Sequence, residues 1–265
     1  MMAPRTLIVA GVQMFATPRA WEANTARAAG WIGAAVDAGA RLVLLPELFA
    51  IGSFYAPDLT TFAEPPMGRT ARWLLTVAQE HSIVVAGTIL ERCTGHLHNT
   101  LLVAEPDGRL LRYAKRHLGV EVEFDVAPGH EPNVLCTSLG HFGCLICSDG
   151  NDVALRQHIA RAGVDLVLVP QAIGATYQMG QMVESMEEAG CRPLWGEIVR
   201  ELGAPAVTAG LVGVFENPMP EQIGDYLRGG TYVIDAAGRG LAHVPFPEEG
   251  VAVAAISLGS ERTVS

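Results

Sequence analysis

A cysteine, a glutamate and a lysine each stand where an apolar run gives way to polar residues, and between them they hold the parts of a covalent hydrolysis. Cys147 closes the run in GHFGCLICSDG, residues 140–150, just before a polar stretch that reads as a helix start. A side chain at a strand-to-helix turn is presented at the edge of a sheet, and the free N–H groups of a following helix favour thiolate over thiol. Position alone is therefore expected to activate this sulfur. Glu47 ends the aliphatic row LVLLPELF, residues 42–49, where a carboxylate is costly to bury without a task or a partner. Lys115 emerges from another strand in YAKRHLGVEVEFDVAPG, residues 113–129, and is followed by Glu121 and Glu123. A base for the thiol proton, a nucleophile and a fixed cation for charge developing on a substrate oxygen or nitrogen would then be complete.

Two plainer readings of Cys147 compete with this one. A cysteine in an apolar strand is more often an inert small hydrophobe than a catalyst. The Cys144-x-x-Cys147 spacing also suggests a redox pair or half of a zinc site. Redox pairs of this kind sit at a helix start after a short strand, and a structural zinc site needs a second ligand pair, whereas Cys93, Cys136 and Cys191 are scattered singly.

The elements that must position these residues alternate between strand and helix, with no linker, repeat or low-complexity stretch. RTLIVAGVQM (residues 5–14) reads as a strand, residues 20–38 as an amphipathic helix, ARLVLLPEL as a second strand and TARWLLTVAQEH (70–81) as a second helix. SIVVAGTIL (82–90) is a strand, and HNTLLVAEPDGRLLRYAK is a hairpin turning at Asp107-Gly108. NVLCTSL precedes the cysteine strand. Asp149, Asn151 and Asp152 are capping types before a helix over 153–163, and VDLVLVPQA (164–172), APAVTAGLVGV, GTYVIDAAG and GVAVAAISL supply the later strands. Glycines at strand spacing in GLVGVF (210–215) indicate a bulge or close backbone approach. Periodicity gives an α/β protein with two sheets and does not choose among mixed-sheet arrangements.

In order and context, these motifs resemble the carbon–nitrogen hydrolases of the nitrilase superfamily. That family sets a glutamate in a Pro-Glu-Leu context, a lysine in Lys-x-His-Leu and a cysteine in Ile-Cys-x-Asp, matched here by Glu47, Lys115 and Cys147. The resemblance also implies a supporting glutamate eight residues after the lysine and shortly before Pro128-Gly129, which is Glu123. It covers most of the chain, to GGTYVIDAAGRGLAHV (229–244) and EEGVAVAAISL (248–258). Ser148 stands where the family is usually aromatic, and Asn151, Asp152, Val153 and Ala154 replace its Arg-Phe-Pro-Glu. VRELGAP (199–205) replaces an Arg-Ala-x-Glu-Asn helix end. These departures bear on the substrate pocket more than on the chemistry, and mark an atypical subgroup.

The resemblance implies a four-layer α–β–β–α sandwich in a single domain over residues 1–265, and at least a homodimer built on helical faces. It also implies hydrolysis of a non-peptide C–N bond in a small amide: Glu47 as base, Cys147 forming a thioester, Lys115 facing the oxyanion and Glu123 holding Lys115 or Glu47. The same residues could attack a nitrile to give a thioimidate. Amides are favoured because true nitrilases of the family tend to be longer, with a C-terminal extension; carbamoylated amines are a further option. A catalytically silent ligand-binding or regulatory protein of the same fold is the alternative from another class, and the intact Glu47, Lys115, Glu123 and Cys147 set argues against it. A glutaminase domain feeding ammonia to a synthetase would need its partner domain on another polypeptide. Placement after strand ends or the nucleophile makes Tyr55, Ser148, Gln171 and Trp195 the substrate-binding candidates.

Composition is compatible with this reading. A chain of 265 residues can bury about three-quarters of its unfolded surface in one domain. With 17% charged and 49% apolar residues, much surface must lie in a thick core or between subunits. The net charge of −10 opposes non-specific binding to nucleic acid or an anionic membrane. Five cysteines without a framework spacing suit a reducing, cytoplasmic interior. Arg5 before an apolar run resembles a short signal peptide, but the thin charge region and internal Gln13 weigh against that. No run reaches membrane-spanning length. No phosphate-binding loop, dinucleotide fingerprint or G-x-S-x-G occurs. His96 and His98 share a strand face without a carboxylate in register, so neither metal nor cofactor is expected. His117 reads as a packing or loop-orienting residue.

Overall fold

The structure is a computed structural model that describes residues 5–52, 58–119, 121–122, 125–188, 195–215 and 224–258. In chain order it contains β1 (Arg5–Gln13), α1 (Trp21–Asp37), β2 (Leu42–Leu44), α2 (Arg69–His81), β3 (Val84–Cys93), β4 (His96–Ala104) and β5 (Leu110–Ala114). Then come β6 (Val134–Thr137), β7 (Gly140–Cys144), α3 (Val153–Ala162), β8 (Leu166–Gln171), β9 (Gly174–Ala175), α4 (Tyr177–Glu188) and α5 (Gly196–Leu202). The remainder is β10 (Ala206–Gly210), β11 (Val212–Val214), β12 (Tyr226–Arg228), β13 (Tyr232–Ile234), β14 (Gly240–His243) and β15 (Gly250–Leu258).

Two six-stranded sheets form, in the orders β15-β1-β2-β3-β4-β5 and β14-β13-β10-β8-β7-β6, with β11-β12-β9 as a small third sheet. The opening apolar run is a central strand: β1 pairs antiparallel with β15 from Arg5 to Gln13 and parallel with β2. Alternation along the strands decides how the sheets stack, because successive side chains take opposite faces. On β4, Leu101 and Val103 join Phe142, Ile146, Leu168 and Val207 in the core between the sheets, while Leu102 and Ala104 meet the layer of α1 and α2. On the second sheet, Val167, Val169 and Ile234 face outward and pack with Leu155 and Ile159 of α3 and Val199 and Leu202 of α5. The result is the four-layer α–β–β–α sandwich. Each Leu, Val or Phe fully buried in these layers contributes about 1.5–3 kcal/mol.

Where the expected elements differ, local chemistry explains it. The second strand, expected over ARLVLLPEL, stops at Leu44, because Pro46 lacks an N–H and the chain turns through Leu48 at φ 52°. β3 runs on to Cys93 and folds back through Thr94 and Gly95, both left-handed (φ 51° and 87°), into a two-residue hairpin. The Asp107-Gly108 turn forms as expected. In the 210–215 stretch the close approach is real: a side chain at Gly210 would collide with the backbone of Gly229.

Candidate active site

Glu47 is placed by the turn that ends β2. Leu45 N still donates to Ala86 O across the sheet at 2.7 Å, but Leu48 N takes the Thr88 hydroxyl at 2.7 Å instead of a ladder carbonyl. The chain therefore leaves the strand line at Pro46 and hands Glu47 to the inter-sheet space. Lys115 continues β5 by one residue, its N–H donating to Asn99 O at 2.8 Å and its carbonyl accepting from Gly129 N at 2.8 Å.

These two side chains meet out of solvent. Lys115 Nζ donates to Glu47 Oε1 at 2.9 Å and also to Glu121 Oε1, with the lysine 2% and Glu47 3% exposed. Asn99, on β4, donates from Nδ2 to Glu47 Oε1 at 2.7 Å and to Glu121 Oε1 at 3.3 Å. Gly119 N closes the cluster on Glu121 Oε2 at 2.7 Å. Two carboxylates thus share one ammonium.

Cys147 comes from the other sheet. It opens a 3₁₀ turn, Cys147–Asn151, beyond β7, with its backbone left-handed at φ 46°. That region is strained for a side-chain-bearing residue, so the turn must be held from outside. Asp149 holds it. Its buried carboxylate accepts from Ile146 N (2.9 Å) and Tyr113 Oη (2.9 Å) on Oδ2, and from His117 N (2.7 Å) and Arg116 N (3.1 Å) on Oδ1. Ser148 Oγ adds a bond to His117 O at 2.7 Å. The loop that follows Lys115 is thereby fastened to the cysteine turn, one sheet to the other.

The electrostatics overturn one expectation. Burial, reinforced by the Glu47 charge, pushes the Cys147 thiol up to about 12, and the opposing pull of Lys115 and a backbone hydrogen bond from Ala172 does not reverse it. The helix expected to favour the thiolate begins only at Val153, beyond the 3₁₀ turn, and its first free N–H groups are taken by Asp152, which accepts from Ala154 N at 2.8 Å and Leu155 N at 3.2 Å. The resting sulfur is a thiol that needs a base. Burial holds Glu47 above the ordinary carboxylate range, with Glu121 adding to the rise and Lys115 opposing it. Burial pulls Lys115 down, yet Glu47, Cys147 and Glu121 together raise it, so it stays a cation. Glu121 is also pushed up by burial, but Lys115 and its hydrogen bonds bring it below the usual range.

Of the expected site residues, Glu47, Lys115 and Cys147 converge. Glu123 and Tyr55 lie outside the described residues, and the glutamate on Lys115 among the described residues is Glu121. Gln171 is buried with its amide engaged at both ends, donating to Gly230 O at 2.6 Å and accepting from Trp195 Nε1 at 2.7 Å. Trp195 packs against the cysteine turn, where a side chain at Gly150 would collide with its indole. Trp195 thus links Gln171 to the cysteine turn, and Ser148 spends its hydroxyl on His117. Asn99, Tyr113 and Asp149 were not singled out for this role. Only Asp149 carried a signal, as the acid of the Ile-Cys-x-Asp motif. Among the described residues no group of three or more His, Cys, Asp or Glu side chains is arranged to hold a metal ion.

The carbon–nitrogen hydrolase profile matches residues 8–265. The chain belongs to the carbon–nitrogen hydrolase family. It is 34% identical over 166 residues to human omega-amidase NIT2, an alignment covering 58% of this chain and 59% of that protein. The fold is shared with a carbon–nitrogen hydrolase from Helicobacter pylori (TM-score 0.79, 23% identity, 95% of this chain and 89% of the other). It is shared too with a mutant amidase from Nesterenkonia sp. whose active-site cysteine carries the acetamide moiety of fluoroacetamide (TM-score 0.77, 23% identity, covering 95% and 90%). Among the described residues, no helix of this carbon–nitrogen hydrolase is long and apolar enough to cross a membrane.

Proposed function

We propose that the protein is a cysteine-dependent amidase acting on a small amide. The observation that carries this reading is the buried Glu47–Lys115 ion pair, 2.9 Å across, whose two charges both act on the sulfur of Cys147. Glu47 takes the proton from Cys147 as the sulfur attacks the amide carbonyl carbon. Lys115 faces the tetrahedral oxyanion. Collapse breaks the C–N bond, Glu47 returns the proton to the leaving ammonia or amine, and a thioester remains. Glu47 then takes a proton from water as it attacks the thioester, and the acid leaves with the thiol restored. Glu121 holds Lys115 throughout, the part first assigned to Glu123. The likeness to an omega-amidase and to an amidase favours an amide over a nitrile. A single catalytic domain, a homodimer and a cytoplasmic setting complete the reading.

Incubating the protein with small amides, carbamoyl compounds and nitriles and following intact mass and ammonia tests it. A substrate-derived adduct and ammonia release in the wild type, with loss of at least about 10⁴-fold in Cys147→Ala, is the expected result. An undiminished Cys147→Ala enzyme would overturn it.

A further inference from the structure

Two carboxylates flank one lysine in this site, and Asn99 distinguishes them. Glu121 is fully engaged: Oε1 accepts from Lys115 and Asn99, Oε2 from Gly119 N. Glu47 is held by Oε1 alone, which takes Lys115 Nζ at 2.9 Å and Asn99 Nδ2 at 2.7 Å; among the described residues no donor reaches Oε2. Lys115 and Asn99 are cross-strand neighbours, joined by the 2.8 Å bond from Lys115 N to Asn99 O, so the two donors approach from one side.

Asn99 is also an exception on its strand. The next residues on the same face of β4 are Leu101 and Val103, both in the inter-sheet core, where a polar side chain has no packing advantage. Its orientation is set by the carboxylates, because turning the amide round would bring Oδ1 against two anionic oxygens. That orientation leaves Oδ1 buried without a partner. An unmade buried acceptor is a standing cost, and the two bonds to carboxylates are what the residue offers against it.

We propose that Asn99 is a positioning residue that makes Glu47 the base: its amide pins one oxygen of Glu47, leaves the other to exchange the proton with Cys147, and keeps both carboxylates ionised around a single lysine. Among the described residues the titratable groups that act most strongly on Glu47 are Lys115 and Glu121, with Cys147 feeling its charge in turn, and none of them is altered by changing Asn99. The proposal rests on the amidase reading for its turnover assay, and on the thiol alone for a second assay.

The test compares wild type with Asn99→Ala and Asn99→Asp in two measurements from about pH 4 to pH 9. One is ammonia release from small amides; the other is alkylation of Cys147 by iodoacetamide, which follows the ionisation of its base and needs no substrate. Without the amide donor the charged form of Glu47 loses support, so the acidic limb of both profiles moves up by about one pH unit. The kcat of Asn99→Ala falls about 10-fold to 100-fold while KM stays within about two-fold. Asn99→Asp keeps the side-chain volume but offers no donor when ionised, so it loses at least as much at neutral pH; it decides the matter if Asn99→Ala does not fold. A folded variant with a wild-type acidic limb, whatever its kcat, would overturn the proposal. A wild type that releases ammonia from no amide would count against the amidase reading, and the alkylation profile would still decide for or against Asn99.

Discussion

Buried carboxylates meet strands β3, β4 and β5 on both faces, and the proposed chemistry uses those of one face only. On the helix-facing side Glu91 is fully buried, accepts from the Thr100 hydroxyl at 2.9 Å and pairs with Arg112. That cation is 36% exposed, and the charges balance one to one. On the inter-sheet side two carboxylates share the single ammonium of Lys115, 2% exposed, and a thiol enters from the opposite sheet. A buried carboxylate is therefore not in itself a sign of catalysis. What sets the inter-sheet cluster apart is its excess of negative charge around one buried ammonium, with a thiol entering from the opposite sheet.

Lys115→Met should separate the two faces most widely. It leaves Glu47 and Glu121 buried without a cation, which costs about 3–5 kcal/mol at neutral pH, and it removes the proposed oxyanion partner, for a rate loss of about 10²–10³. Both carboxylates then have folded pKa values above their unfolded ones, so the variant is most stable at low pH and loses stability as pH rises through them. Urea unfolding at about pH 5 and pH 8 reads the sign. Equal loss at both would remove the contrast.

Asp149→Asn comes next. An amide cannot accept from all four donors that the carboxylate serves, and its NH₂ would face N–H groups. We expect a loss of about 2–3 kcal/mol and about 10-fold to 100-fold in kcat as the cysteine turn loosens. Tm and ammonia release measure the two.

In the wild type, kcat/KM should fall with acid on a limb above the ordinary carboxylate value of 4.5, because Glu47 as the proposed base must be ionised. Stability follows a different rule at each carboxylate. Glu121, held low, contributes stability that is lost as pH falls through its folded value, whereas Glu47, held high, costs stability at neutral pH and gives it back on protonation. A rate profile flat down to about pH 4 would remove Glu47 as the base.

The smallest effect is expected on the other face. Glu91→Gln should cost about 1–2 kcal/mol, since the half-exposed Arg112 can turn to water, and leave kcat within about two-fold. A ten-fold rate loss would show that the two faces are coupled.

The apolar runs made both sheets legible, because inward and outward residues alternate over long strands such as β4 and β15. β9, β11 and β12 were not legible individually, being two or three residues each. Glu47, Lys115 and Cys147 could be found because each is a reactive group at the end of an apolar row. The same criterion applied to TILERC would have marked Glu91, which shows its limit. Asn99 read as one more residue of a hairpin strand, since nothing local reveals which face a strand presents to a charge. The family spacing picked out Glu123, which lies outside the described residues, and nothing in the sequence marked Glu121, carried by a short turn and not a strand, as a partner of Lys115.

The proposed base and oxyanion donor belong to one sheet and the proposed nucleophile to the other, joined near the site by the bonds around Asp149 and Ser148. The catalytic distance is therefore a gauge of the gap between two slabs, and the slabs are kept apart by aliphatic side chains with no chemistry of their own. During slow heating, sliding of one slab over the other would part thiol from base while each sheet kept its own ladder. Activity should fade a few degrees before the fold melts, and a trimmed core residue such as Phe142 would register as a slower enzyme.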